Sequence, residues 1–416
     1  MSIGQDNRGW VVTGAGTGIN LALGVLYSWS IFKAAIHDSI EAGSPDGFNW
    51  SLASLNDPYA VCCLVFAFAM ILSGRCQDKI GPRVTALIGG VLVGIGFIWI
   101  SQTTDYLSWI IGFGVLVGVG IGFGYGSATP PALKWFPPAK TGLIAGLVVS
   151  GFGLASVYIA PLSHYLVGGW GLQKAMMFLG IGFLIVVCGL ALLLVNPPKD
   201  DISPAPANLK KAKEPLLDGD LSPSQMLKTK NFYLLWITFF IGSGAGLMVI
   251  GSVAGMAKNS LGDMAFVAVA IMAVGNAAGR IVAGLLSDKI GRRLTLIIML
   301  FFQAVLMFAA IPLNGTGYAV IWILLATLIG FNYGANLSLF PSFTKDLGGL
   351  KNFGLNYGIV FTAWGVGGLV MGRLSQTLAA STGGFNLSFI VAGIMLLAGA
   401  GLATRLKRRA RPIEER

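Results

Sequence analysis

Arg280 stands inside an apolar run, Ala273-Val-Gly-Asn276-Ala-Ala-Gly279-Arg280-Ile-Val-Ala-Gly284. A charged side chain at the centre of a membrane helix costs about 2.5–3.5 kcal/mol on insertion scales. Asp288 follows eight residues later, which on a helix is about 12 Å along the axis and too far for direct pairing. The arginine needs another partner. A carboxylate ligand fits, because a guanidinium grips it with two parallel hydrogen bonds. A snorkelling or structurally paired arginine is the alternative. Asn276, four residues earlier, shares Arg280's helix face and is placed to donate to the ligand or to orient the guanidinium.

Other side chains offer weaker chemistry. Tyr125 and Tyr333 each bring a ring and one hydroxyl; interhelical packing is the competing role for both. Tyr27, Tyr357, Asn20, Asn332 and Asn336 are further candidates, although buried amides often only bridge helices. Asp57, just before Pro58, is a proton acceptor or a helix N-cap, and the cap is favoured. His164 and His37 read as solvated residues at outer loop edges. The four cysteines, Cys62, Cys63, Cys76 and Cys188, lack metal-ligand spacing and read as packing residues. The series Gly112, Gly114, Gly118, Gly120, Gly122, Gly124, Gly126 has no preceding strand, so it is a helix-packing surface and not a phosphate loop. Pro130 and Pro131 are expected to kink or end their helix. No metal motif, Cys/His/Asp cluster or nucleophile-base pair supports an enzyme, a metal or a cofactor.

The elements that hold these residues follow from composition. The chain has 416 residues, 55% hydrophobic and only 11% charged, against about 25% charged in soluble domains. Such a chain cannot cover its surface in water, so an all-α integral membrane protein is expected. Runs long enough to cross a bilayer fall at about 10–36, 55–75, 83–102, 107–133, 142–165, 172–195, 232–257, 264–287, 294–313, 317–340, 353–378 and 385–405. These are spans 1 to 12. They are too long and too evenly apolar for barrel strands. Residues 196–231 interrupt them with prolines and lysines and read as a linker. The expected division is a six-helix bundle over 1–195, the linker, a second bundle over 232–405 and a basic tail over 406–416. Of the 28 lysines and arginines, Lys33, Lys174, Lys258 and Arg373 fall near outer ends and Arg280 inside a span. The rest lie on one side, which predicts cytoplasmic termini. That distribution argues against nucleic-acid binding, despite a net charge of +11.

The halves repeat. Gly74-Arg-Cys-Gln-Asp78-Lys-Ile-Gly81-Pro-Arg83 follows span 2, and Gly284-Leu-Leu-Ser-Asp288-Lys-Ile-Gly291-Arg-Arg293 follows span 8, 210 residues later. Gly122-Phe-Gly-Tyr125-Gly126 matches Gly330-Phe-Asn-Tyr333-Gly334 at 208 residues, and Gly142 and Gly146 match Gly354 and Gly358 at 212. Three matches at nearly one offset indicate parallel six-helix repeats. In the G-x-x-x-D-x-x-G-x-R loops, Asp78 and Asp288 are expected to pair with an arginine, Arg83 and Arg293 being the motif's own, or to cap a helix, latching one conformation.

The doubled loop resembles the signature of the major facilitator superfamily. Four further places sharpen the likeness: Gly24-Val-Leu-Tyr27-Ser28-Trp29, Gln225-Met-Leu-Lys228-Thr229-Lys-Asn-Phe232-Tyr233, Lys134-Trp135-Phe136-Pro137 with Gly142 following, and Asn356-Tyr357-Gly358. Together they resemble the monocarboxylate transporter and oxalate/formate antiporter branch, over the whole chain. The resemblance implies two six-helix bundles related by a pseudo-two-fold axis, with spans 1, 4, 7 and 10 lining a central cavity and the span 8 arginine binding substrate. It implies a multi-pass carrier in the cell (inner) membrane, functional as a monomer, moving a small monocarboxylate such as lactate or pyruvate with a proton as co-substrate. Exchange of organic anions is the alternative. The chain departs from the pattern in three places. Animal-type relatives have an aspartate where Asn276 stands and a span 1 lysine where Ile31 stands, so the usual proton relay is missing. The antiporters carry a lysine eight residues into the Asn356 motif, where this chain has Trp364. With one cation instead of two, a monovalent carboxylate is expected over oxalate.

Overall fold

The structure is a computed structural model. It describes residues 3–43, 47–198, 220–261, 265–313 and 319–406, with side chains left undescribed over 3–6 and 249–269 and at 53 and 319. Most of the linker (199–219) and the basic tail beyond Leu406 therefore lie outside the described residues. Among the described residues the secondary structure is helical, without strands.

Eleven stretches are long and apolar enough to cross a membrane. One of them, Pro138–Ala191, is 54 residues long, about twice what a crossing needs. Within it Gly171 takes φ 80°, ψ 165°, a backbone state open to glycine, and divides the stretch into two. The described residues thus make twelve crossings. We name them α1 (Ile3–Leu23, continuing through Gly24–Ser28 to Trp29–Ala42), α2 (Asp57–Ile80), α3 (Pro82–Ile100), α4 (Tyr106–Lys134), α5 (141–170) and α6 (172–191). The second half holds α7 (Lys230–Leu261), α8 (Ala265–Ile290), α9 (Arg292–Leu313), α10 (Ala319–Gly348), α11 (Phe353–Thr382) and α12 (Asn386–Ala403). Large apolar side chains such as Leu72, Ile185 and Leu324 point outward and are exposed. That inversion of a soluble surface is what a lipid-facing bundle requires.

Two local expectations need correction and one is narrowed. α1 runs past its expected end at residue 36: after a 3₁₀ stretch at Gly24–Ser28 the helix resumes to Ala42, so His37 sits on a helix and not in a loop. Of the two outcomes expected of Pro130 and Pro131, a kink or an end, the end is excluded, because the helix continues past them to Trp135. Asp57 is the first residue of α2, where Asn56 occupies the N-cap without a side-chain bond. The Asp57 carboxylate instead accepts the Tyr106 hydroxyl at 2.7 Å. The start of α4 does have a side-chain cap, Asp105, which accepts from the Ser108 amide at 2.8 Å. That bond holds its carboxyl below the ordinary range.

The halves meet along two seams, α2 against α11 and α5 against α8. Trp10 packs on Phe136, and Arg293 reaches the Thr404 carbonyl. Both ends of the described chain therefore lie on the face of the Asp78 and Asp288 loops, which we call the latch face.

Candidate functional site

Arg280 lies where α8 crosses α5 and α10. The crossings are so close that glycine is required. A Cβ on Gly279 would sit 1.9 Å from the Phe331 carbonyl oxygen, and one on Gly334 would sit 2.0 Å from that of Asn276. Backbone against backbone, α8 cannot slide, and its polar face is fixed at the interface between the halves. The guanidinium is fully buried. Its Nε donates to Asn276 Oδ1 at 2.9 Å, and Nη1 donates to the Val149 carbonyl of α5. Nη2 has no hydrogen-bond partner. Among the described residues no carboxylate forms an ion pair with it. Asn276 therefore orients the guanidinium, one of its two expected roles, while the Nη2 end stays free. Removing a charge from water without a counter-charge is costly, and the open Nη2 has the chemistry to donate to an anion.

Around it stand hydroxyls and rings. Tyr125, Tyr333 and Tyr357 are buried and within electrostatic reach of Arg280. The Tyr125 and Tyr357 hydroxyls face one another, yet neither has a hydrogen bond of normal geometry. Tyr333 accepts from Trp364 Nε1 at 2.8 Å, and its oxygen lies 3.3 Å from that of Tyr27 on α1. Phe66, Phe152 and Phe361 fill the space between, with Phe66 and Phe361 ring centroids 5.2 Å apart. The structure thus gathers Arg280, Asn276, Tyr125, Tyr333, Tyr27, Tyr357 and Trp364 about one centre. Asn20 is beside it but donates to the Val148 carbonyl at 2.8 Å, tying α1 to α5. Asn332 bonds within its own helix, and Asn336 packs on Gly242 of α7.

The repeated loops do a different job. Asp288 accepts from the Gly142 and Leu143 amides, both at 2.9 Å. Asp78 accepts from the Gly354 and Leu355 amides at 3.1 and 2.9 Å. Each aspartate therefore caps the first turn of a helix in the opposite half, where amides and helix dipole favour an anion. The motif glycine one turn earlier makes this possible: a Cβ on Gly284 would meet the Gly142 oxygen at 2.1 Å, and one on Gly74 the Gly354 oxygen at 2.1 Å. The latch face is closed by these pairs. Arg83 and Arg293 are exposed and do not serve the aspartates, a correction to the expected pairing. Arg292 does, 2.6 Å from Asp288 and 3.2 Å from Asp346. It is one residue before the motif arginine, and Pro82 holds its place in the first half.

Sequence reasoning missed the Val149 carbonyl, the phenylalanine wall, Arg292 and Lys345, which is buried at the end of α10 and donates to Thr141 Oγ1 across the α5 seam. The glycine pairs at 142/354 and 74/284 were the available signal for the capping geometry. A further contact set lies at the linker's exit. There Asp220 accepts from the Leu350 amide at 2.9 Å, and Leu221 accepts from Asn352 and Asn356, holding the α10–α11 corner beside the Asp78 cap.

Comparison with known proteins agrees with this architecture. The oxalate:formate antiporter of Oxalobacter formigenes is 27% identical over 395 residues, 94% of this chain and 90% of the antiporter. Human monocarboxylate transporter 11 is 27% identical over 412 residues, 96% of this chain and 83% of that protein. The uncharacterized MFS-type transporter YhjX of Escherichia coli (strain K12) is 29% identical over 358 residues, 84% of this chain and 83% of that protein. The crystal structure of the transporter FucP in the outward conformation superposes with a TM-score of 0.64, covering 94% of this chain and 99% of that one at 13% identity, a likeness of fold. The sequence profile of the Major Facilitator Superfamily matches residues 12–370 and 253–416, and the chain belongs to that family, whose members are transporters and not enzymes.

Proposed function

We propose that this protein is a secondary active carrier of small monocarboxylates of the lactate or pyruvate type, with Arg280 binding the carboxylate. One observation carries the reading: a fully buried guanidinium with no acidic partner among the described residues and a free Nη2. A bound carboxylate supplies the missing charge and accepts from the open end of the fork. Tyr125, Tyr357, Tyr333, Tyr27 and Trp364 give the rest of the molecule hydroxyls and apolar walls. The relatives named for oxalate, formate and monocarboxylates support an anionic cargo.

The cycle is alternating access between two bundles, 1–195 and 232–405, in the inner membrane, with the latch face cytoplasmic and the carrier acting as a monomer. Asp78 and Asp288 hold that face shut and release together when the halves rock. A proton travels with the substrate. No acid among the described residues lies mid-span, so the proton enters on the substrate or through Asp57 near the opposite face. The antiporter relative favours exchange as a second reading. Labelled lactate uptake into proteoliposomes separates the two. Symport predicts saturable uptake driven by an inward proton gradient and abolished by a protonophore. Exchange predicts uptake that needs internal anion and ignores the gradient. Absence of saturable lactate transport in both arms contradicts the proposal.

A further inference from the structure

We propose that Asn352 is a positioning residue for the Asp78 latch: a clasp built from Asp220 and Leu221 holds its side chain away from α11, which leaves the first amides of that helix free for Asp78. The inference rests on the reading of the latch face as closing and opening in the transport cycle.

The first turn of a helix has amides with no partner inside the helix. An asparagine at the N-cap normally accepts from the second or third residue's amide. Asn352 is the N-cap of α11, yet its side chain makes no such bond. The amides it would serve, those of Gly354 and Leu355, go to Asp78 of the opposite half at 3.1 and 2.9 Å. Asn352 instead donates its Nδ2 to the Leu221 carbonyl at 3.2 Å. Asn352 and Asp78 are therefore rival acceptors for one pair of donors, and the clasp decides between them.

The clasp itself is firmly seated. The Leu221 amide donates to the Gly348 carbonyl at 3.0 Å, and the Leu221 carbonyl also accepts from Asn356 Nδ2 at 3.1 Å. Asp220 Oδ1 accepts from the Leu350 amide at 2.9 Å. It lies so close over the corner that a Cβ on Gly349 would stand 1.7 Å from it. Just after, Ser222 and Gln225 form a reciprocal capping box, and Met226 is buried. Gln225 and Asn356 each open a stretch singled out in the sequence, and the two stretches meet here.

The second latch has no such clasp, for a physical reason. There the Gly142 and Leu143 amides go to Asp288 in the same way. The N-cap of α5 is Lys140, and an ammonium is a donor with nothing to accept a hydrogen bond. Asp288 thus has no rival at the N-cap. The repeat loses its symmetry where one N-cap side chain can accept and the other cannot.

The test is the distance between spin labels on the latch-face ends of α2 and α11 in the purified full-length protein. Asn352→Asp cannot donate to Leu221 and is a strong N-cap. It is expected to compete with Asp78 and to raise the ratio of open to closed latch by about fivefold. Asn352→Ala loses the same bond to Leu221 but cannot accept, so it is expected to keep the wild-type distances. Asp220→Ala checks the clasp without a new charge beside Asp78. It is expected to lengthen the distances, and adding Asn352→Ala is expected to reverse that change. Either arm carries the test if a variant of the other does not purify. The proposal is overturned if Asn352→Asp keeps the wild-type distances, if Asn352→Ala opens the face as far as Asn352→Asp, or if Asn352→Ala fails to reverse Asp220→Ala. Unchanged distances in Asp78→Ala would instead overturn the latch, and this inference with it.

Discussion

At the scale of single residues, Arg280 and Asn276 form one unit. The amide oxygen takes Nε, the Val149 carbonyl takes Nη1, and Nη2 has no hydrogen-bond partner. Asn276→Ala should weaken lactate binding by about 1–3 kcal/mol, the cost of a lost bond to a charged group, and should leave the response to a pH gradient in place. Titration calorimetry beside gradient-driven uptake checks both halves; loss of the gradient response with binding intact would put proton coupling at Asn276. Oxalate should compete poorly with lactate in the same assay, because Trp364 stands where a second cation would be needed. Oxalate competing better than lactate would sink that idea. Arg280 and Asn276 were legible in the sequence because a membrane helix rarely carries a charge, with an amide one turn away, unless both have a polar task. Val149 was not, since a backbone carbonyl acceptor leaves no trace in residue type. Asp57 misled for a related reason: an acid before a proline reads as a cap, and only the fold brings Tyr106 to it.

At the scale of helices, the glycines determine which face each element presents. The α5–α8 seam is closed by Gly142 against Gly284, with Asp288 on the first amides of α5. Gly142→Val would put its Cβ about where the Gly284 oxygen stands, at 2.2 Å, so the latch face could no longer close backbone to backbone. Distance measurements between spin labels on the latch-face ends of α5 and α8 should show a shift to longer separations in this variant. Asp288→Asn should shift the same distances more mildly, since the cap keeps an oxygen but loses its charge and its pair with Arg292. Distances unchanged in Gly142→Val would contradict the role given to the seam. The repeat at 210 residues made these loops legible as a pair. Their partners were not, because a helix N-terminus contributed by the opposite half is a long-range feature. The same is true of Arg292, which differs from its motif neighbour Arg293 only in the helix face it occupies.

At the scale of the whole molecule, the twelve crossings and the two halves were readable from hydropathy and repetition, because bilayer thickness and backbone hydrogen bonding leave few alternatives. The meeting of the halves at an aromatic centre was not, since phenylalanines at 66, 152 and 361 look like any apolar residue in a membrane helix. A carrier that rocks about this centre should show lactate counterflow, with internal unlabelled lactate accelerating entry of label; a channel would show none. The most direct measurement of the central claim is equilibrium binding of lactate to purified wild type, Arg280→Lys and Arg280→Ala, with thermal unfolding as the control for folding. Wild type should bind saturably, Arg280→Lys weakly because the planar fork is lost, and a folded Arg280→Ala not measurably. Wild-type affinity in Arg280→Ala would contradict the claim.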